Sequence, residues 1–344
     1  MEHYVGLDVS LKETAVCVID GEGNRVWQGK CASNPEDMET VIRQRAPLAV
    51  RIALETGPLC VWHWHALRAV DLPVVCIHAR HAKAALMMQL NKTDPNDAFG
   101  LAQIVRCGWY REVEVKSIDS HRVRLLLSAR SRFVEMRTTL YNQIRGLVKT
   151  FGIVLGPGKG GTFVREVEAK MPADPVIETV IGSLLSIWKT VTLQLQKLDR
   201  EIGAIARKST VHQNLMTVPG IGAITAAAYV ATIDSPERFS RAKDVGAYLG
   251  LTPRRYQSGE VDRTGRISKC GDSMLRSLLF EAAHALLTRT RRKSALRNWG
   301  LALAKKTGPA KAKVAVARKL AVIMHRMWAE GTAFRTFEDV PVAA

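Results

Sequence analysis

The apolar positions in the first quarter of the chain fall into short alternating runs separated by turn-forming residues. Residues 3–15 (HYVGLDVSLKETA) and 14–20 (TAVCVID) read as two strands, GEGN at 21–24 is a turn signal, and RVWQGKCA after it is a third strand. Asn34 or its neighbours cap a helix over about 36–46, and LAVRIALE (48–55) is a fourth strand. PLCVWHWHALRAVD starts a helix with Pro58 near its first turn, and VVCIHA (74–79) is a fifth strand. Three strands in a meander, followed by alternating helices and strands, predict a mixed sheet with crossover units.

The period then lengthens. Leu126, Phe133, Leu140 and Leu147 recur every seven residues, and after GPGKGG (156–161) a second series appears. In it Ile181, Trp188, Leu195 and Ile202 interleave with Leu184, Val191, Leu198 and Ile205, the a/d spacing of a coiled coil. Two long helices follow, paired either with each other as a hairpin or across protomers. GPGKGG lacks the full phosphate-loop pattern and reads as a flexible turn between them. In LMTVPGIGAITAAAYVATI (215–233) a short helix, a Gly-x-Gly turn and an Ala-rich helix form a helix-hairpin-helix signature. Gly220 and Gly222 there would let backbone N–H groups approach a phosphate, and the alternative is a turn packed for structural reasons. The expected architecture is an α/β RNase H/RuvC-like domain over 1–119, a coiled-coil region over 120–206 and a mainly α-helical domain with a helix-hairpin-helix over 207–335.

Charge sharpens the picture. The 344 residues carry 50 Lys+Arg against 32 Asp+Glu, a net +18, and residues 206–344 hold 24 of the bases and only 10 of the acids. Such a field attracts polyanions. The densest polar stretch, LGLTPRRYQSGEVDRTGRISKCGDSMLR (249–276), sets Arg254, Arg255, Arg263, Arg266 and Lys269 among glycines and serines. No stretch reaches the roughly 18 apolar residues of a spanning helix, and MEHYVGLDVS runs straight into a strand pattern without a signal-peptide core, so a cytoplasmic protein with no membrane partner is expected. The six cysteines form no C-x-x-C pair and read as buried small hydrophobes.

Four carboxylates stand out against this frame. Asp8 lies amid apolar strand positions in VGLDVS, where an unpaired charge is costly to bury, and Glu55 ends the fourth strand. In KTDPNDAFGLA (92–102) Asp94 and Asp97 sit at i and i+3 on one helical face, where Asp94 has the alternative role of a helix N-cap. Carboxylates converging in this way repel one another and are resolved by a hard cation such as Mg²⁺. The alternating His63-Trp64-His65 spreads around a helix and reads as packing or surface.

GLDVS, ALETG and KTDPNDA in the first third, with VPGIGAITA, LGLTPRR and GRISKCGDSMLR in the last, resemble the insertion sequence 110 family of transposases, the DEDD-type recombinases. The resemblance implies donor and target DNA as substrates, an element-encoded structured guide (bridge) RNA, a homo-oligomer, and an acidic tetrad at Asp8, Glu55, Asp94 and Asp97. It also implies a serine nucleophile in the last domain, which maps to Ser258 in YQSG. Here Ser-Gly-Glu replaces the family's usual double glycine, and Ser268 in GRISK is the second candidate. A serine hydroxyl needs a base or a metal to attack, and this segment has no adjacent triad. Two other readings stay open: a metal-dependent junction-resolving nuclease using water, and a non-catalytic nucleic-acid-binding protein.

Overall fold

The computed structural model describes residues 2–87, 93–259 and 261–335, in two compact units that divide at 116/117. The first unit runs β1 (His3–Val9), β2 (Glu13–Ile19), β3 (Arg25–Ala32), α1 (Pro35–Arg45), β4 (Ala49–Glu55), α2 (Cys60–Ala69), β5 (Val74–Ile77), α3 (Ala79–Leu86) and α4 (Asp94–Cys107). Its sheet has the order β3-β2-β1-β4-β5, antiparallel through the meander and parallel from β1 to β4 to β5. The expected strand order is therefore present. The expected run over 3–15 breaks at Val9, because Ser10 closes a tight turn by donating its N–H and its hydroxyl to the Glu13 carbonyl. Asn34 caps α1, its side chain accepting from the Asp37 N–H at 2.8 Å, while α2 begins only at Cys60, with Pro58 in the turn before it.

Strand alternation divides the core between the two faces of the sheet. Val5, Leu7, Val16, Val18, Ile52 and Leu54 pack on one face with Met38, Ile42 and Leu67 of α1 and α2. The opposite face carries small residues, Ala15, Cys17 and Ala53, beneath Ala98, Leu101, Ala102 and Val105 of α4. Gly6 shares that face. A Cβ there would lie 1.9 Å from the Ala98 carbonyl oxygen and 2.6 Å from the Ala102 nitrogen, so α4 rests directly on the backbone of β1.

The second unit comprises α5 (Ile118–Lys149), α6 (Gly161–Ala169), α7 (Pro175–Lys208), α8 (Thr210–Met216), α9 (Ala223–Ile233), α10 (Asp244–Tyr248), β6 (Pro253–Ser258), β7 (Val261–Ile267), α11 (Ser273–Thr288), α12 (Ala295–Thr307) and α13 (Pro309–Glu330). The long helices α5 and α7 pack antiparallel within the chain. Ile144 and Val148 late in α5 share a core with Ile181 and Leu185 early in α7, and Arg130 pairs with Asp199 at 2.5 Å nearer the other end. On α7 the heptad positions Ile181, Trp188, Leu195 and Ile202 are all buried. On α5 the predicted series is only partly buried: Leu126, Phe133 and Leu140 are half-buried and Leu147 is 41% exposed, whereas Leu127, Ile144 and Val148 are buried. Adjacent apolar residues, Leu126-Leu127 and Leu147-Val148, leave the phase of the seam undetermined by spacing alone.

Two further expectations are corrected here. GPGKGG is not a free turn: the Arg145 guanidinium donates to the Leu155 and Gly156 carbonyls, Tyr141 Oη donates to the Gly158 carbonyl at 3.1 Å, and α6 follows. α7 is long and apolar enough to cross a membrane by length and composition, which the hydropathy reading did not expect, but its apolar stripe packs against α5 and α6. Among the cysteines, Cys107 and Cys270 are exposed, and the buried thiols of Cys60 and Cys76 face each other at 3.2 Å.

Adding a methyl group at Gly6 should push α4 off the sheet. Gly6→Ala is expected to cost about 1–3 kcal/mol, the range for overpacking a tight core, read as an earlier urea transition of the full chain.

Candidate active site and nucleic-acid interface

In the first unit the parallel register pairs Leu7 with Leu54, so Asp8 and Glu55 follow one another's neighbours at the carboxyl ends of adjacent strands. Both have the parity of Gly6 and Ala53 and stand on the α4 face. The direction of α4 decides what joins them. Near its end, Gln103 Nε2 donates to the Gly23 carbonyl at 2.7 Å and Arg106 Nη1 to the Gly21 carbonyl at 3.2 Å, in the β2–β3 turn by the start of β1. Its first turn lies farther toward the carboxyl end of β1, where Gln28 Nε2 on β3, in register with Cys17 and through it with Gly6, donates to the Pro95 carbonyl at 2.9 Å. α4 thus runs antiparallel to β1. Asp94 and Asp97 come to the end of the sheet, and to the face, where Asp8 and Glu55 lie. Gln28 is a positioning residue that sequence reasoning missed, since a glutamine on a strand carries no signal of its own.

The cap of α4 is Thr93, whose hydroxyl accepts from the Asn96 N–H at 3.4 Å. The capping role therefore does not fall to Asp94, which is exposed, while Asp97 is buried. Carboxylates of this kind are the oxygen ligands of hard divalent cations, so the donor chemistry fits. Among the described residues, however, no three His, Cys, Asp or Glu side chains gather closely enough to share one ion. The histidines of the His63-Trp64-His65 run serve packing: His63 Nε2 lies 3.4 Å from the Ser33 carbonyl, and burial pushes its pKa down, while His65 Nε2 meets the Lys116 carbonyl at 2.9 Å.

In the second unit the polar stretch forms the antiparallel hairpin β6–β7. Ser258 ends β6, pairs with Val261 and is exposed, with Gly259 at φ +54° in the turn. Ser268 is half-buried; its hydroxyl lies 3.4 Å from the Cys270 N–H and its carbonyl accepts from Arg254. Arg255 donates twice to Asp262 across the strands, at 2.9 and 2.6 Å, and this holds the Asp262 carboxyl below the usual range. Arg263, Arg266 and Lys269 are exposed. In the α8–α9 turn the two glycines differ. Gly220, at φ +92°, has the Ala282 carbonyl oxygen 2.6 Å from where a Cβ would be, so packing on α11 requires it. Gly222 is exposed at the start of α9 with open space around it.

One chain thus carries a mixed sheet with acidic residues at the ends of its central parallel strands and a strongly basic helical unit, whose charge suits a polyanion. Residues 5–153 match the DEDD transposase family of the IS110 group, and residues 212–298 match the family described as Transposase IS116/IS110/IS902. The transposase for insertion sequence element IS1111A of Coxiella burnetii is 28% identical over 97% of this chain and 90% of its own length. A probable family 20 transposase of Pseudomonas aeruginosa is 32% identical over 71% of this chain and 74% of its own. A pilin gene-inverting protein of Moraxella bovis is 39% identical over 20% of this chain and 22% of its own. The chain belongs to the IS110 family of insertion-sequence transposases. Its activity is accordingly DNA transposition.

Cap and carboxylate should separate in stability measurements. Thr93→Ala is expected to cost about 1 kcal/mol, whereas Asp94→Ala loses only the dipole contribution of a first-turn acid, about 0.5 kcal/mol or less; urea unfolding of the two variants checks the order.

Proposed function

We propose that this transposase cuts and rejoins DNA through a covalent phosphoserine formed by Ser258, with Asp8, Glu55, Asp94 and Asp97 holding Mg²⁺. The observation that supports the proposal is the register of β1 with β4, which sets Asp8 and Glu55 at neighbouring strand ends, together with the direction of α4, which points its first turn toward that end. When bound, the cation supplies Lewis-acid stabilisation of charge on phosphate oxygens. The chain's own residues supply the rest. Ser258 offers an exposed hydroxyl at a hairpin end, and its exposure favours it over the half-buried Ser268. Arg263, Arg266 and Lys269 are placed to hold phosphate, with Arg254 and Arg255 helping once they leave Ser268 and Asp262. Gly222 leaves the N-terminus of α9 open to a backbone phosphate, in keeping with a helix-hairpin-helix, while Gly220 acts through packing.

Attack by serine conserves the phosphodiester energy in a phosphoserine, so strands can be resealed; attack by water only cuts. A protein that inverts a gene must reseal what it cuts, and the similarity to the Moraxella protein supports the serine route over the water-using nuclease. A guide RNA and a homo-oligomeric assembly complete the proposal on the strength of the family resemblance. The basic surface suits both nucleic acids, and α5 and α7 already cover each other's seam without a second protomer.

With a suicide DNA substrate, the wild-type chain should form a protein–DNA adduct that maps to the peptide containing Ser258 and disappears in Ser258→Ala. Recombination should fall by about 10⁴-fold or more. An adduct lost only in Ser268→Ala moves the nucleophile ten residues along, and cleavage without any adduct assigns the nucleophile to water.

Asp97→Ala is expected to abolish recombination while leaving thermal stability and DNA binding near wild type. Wild-type recombination in this variant with Mg²⁺ present rules the metal site out.

A further inference from the structure

In the second unit a groove of about 1260 Å³ opens between the β6–β7 hairpin, α12 and the length of α13. Its rim and floor have opposite characters. Six cations line it: Arg266 on β7, Lys269 just beyond, and Lys311, Arg318, Lys319 and Arg326 along α13. No carboxylate among the described residues pairs with any of them, although Arg255, Arg124 and Arg130 of the same unit are all paired. Lys319 Nζ sits 3.8 Å above the Trp299 ring, so the one strong partner it has is an aromatic face. Among the described residues no acidic side chain lines the groove, while Val314, Val322 and Ile323 form half-buried apolar floor.

From these observations we infer that the groove is a binding site for unpaired, single-stranded nucleic acid, with phosphates on the cationic rim and bases against the apolar floor. A row of six uncompensated cations calls for a polyanion. From Lys311 to Arg326 the row extends about 22 Å at 1.5 Å per helical residue, far longer than one phosphate and enough for about six stacked nucleotides at 3.4 Å each. A duplex would present only its backbone and leave Val314 and Ile323 facing charged phosphate. An unpaired strand brings both surfaces, since every base has an apolar face. An acidic peptide shares the charge but brings no flat apolar faces to Val314 and Ile323, whereas every base does. The inference rests on the family's handling of DNA; it is independent of the metal site, and its test leaves alone Arg266 and Lys269, which it shares with the proposed Ser258 chemistry.

The test measures binding of the full chain to a fluorescent single strand of about a dozen nucleotides, to the matching duplex and to a polyglutamate peptide, across a salt series. The single strand is expected to bind more tightly than the duplex. Removing two rim cations, Lys311→Gln with Arg326→Gln, should lower the salt slope by about 1.4, at roughly 0.7 per phosphate contact. Ile323→Ser should weaken the single strand about tenfold with the slope unchanged, and Val322→Thr supplies the same readout if Ile323→Ser lowers the melting temperature. Nucleic-acid binding that neither set of variants alters overturns the groove while leaving the transposase reading intact. Loss of all nucleic-acid binding in the folded wild-type chain would overturn both. Polyglutamate binding that responds to Ile323→Ser, with no preference for the single strand, would make the groove a site for acidic protein instead.

Discussion

The contact of α4 with the backbone of β1 governs the acidic end of the first unit. Gly6 offers no Cβ, and Ala98 and Ala102 offer only methyl groups, so helix and strand approach until a single carbon atom at residue 6 would collide with the Ala98 carbonyl. Close packing of this kind fixes rotation and height together, because a small shift in either produces a clash or a void. With the height set, Arg106 and Gln103 anchor one end of α4 on the β2–β3 turn and Gln28 anchors the other. The first turn, with Asp94 and Asp97, is then carried to the strand ends that bear Asp8 and Glu55. Thr93 takes over the cap, which leaves both aspartates free of that structural duty.

The second unit is organised around a different helix. α9 is built almost wholly of small and apolar residues, and its Tyr229 is completely buried with its hydroxyl donated to the Ala321 carbonyl at 2.6 Å. That bond ties α9 to α13, and the core around it draws in Leu127 of α5 and Ile202 of α7. The long helices are thus rooted in this apolar core at one end, while at the other they hold a satellite core of their own around Phe163 and Trp188. With its apolar face spent inward, α13 turns a row of cations outward.

Much of this was legible because burial imposes a period. The strands read as short apolar runs between turn residues, α1 carries its cap, and the buried face of α7 keeps a heptad. The hairpin β6–β7 was not legible, since every side chain of β6 is exposed and nothing makes its residues alternate. The phase of α5 was hidden by neighbouring apolar residues that fit the seam equally well. Gly220 was read as a phosphate-approach residue because a glycine in a turn looks the same whether it makes room for a ligand or for a helix; only the Ala282 carbonyl beside it tells which.

By itself the sequence determined the order of elements, the basic character of the last region and the identity of the four carboxylates, all properties that periodicity, composition and local motif carry. What tertiary structure decided was the end of the sheet toward which each carboxylate is carried. That Asp94 lies at the Asp8 end of the sheet depends on the direction in which α4 crosses it, and that direction is set by contacts between residues some seventy to eighty-five apart in the chain, Gln28 with Pro95 and Arg106 with Gly21. The groove along α13 likewise exists only because a hairpin from 253–267 folds over a helix from 309–330. Pairings over such distances leave no local trace, because each residue's chemistry is compatible with many partners until packing selects one.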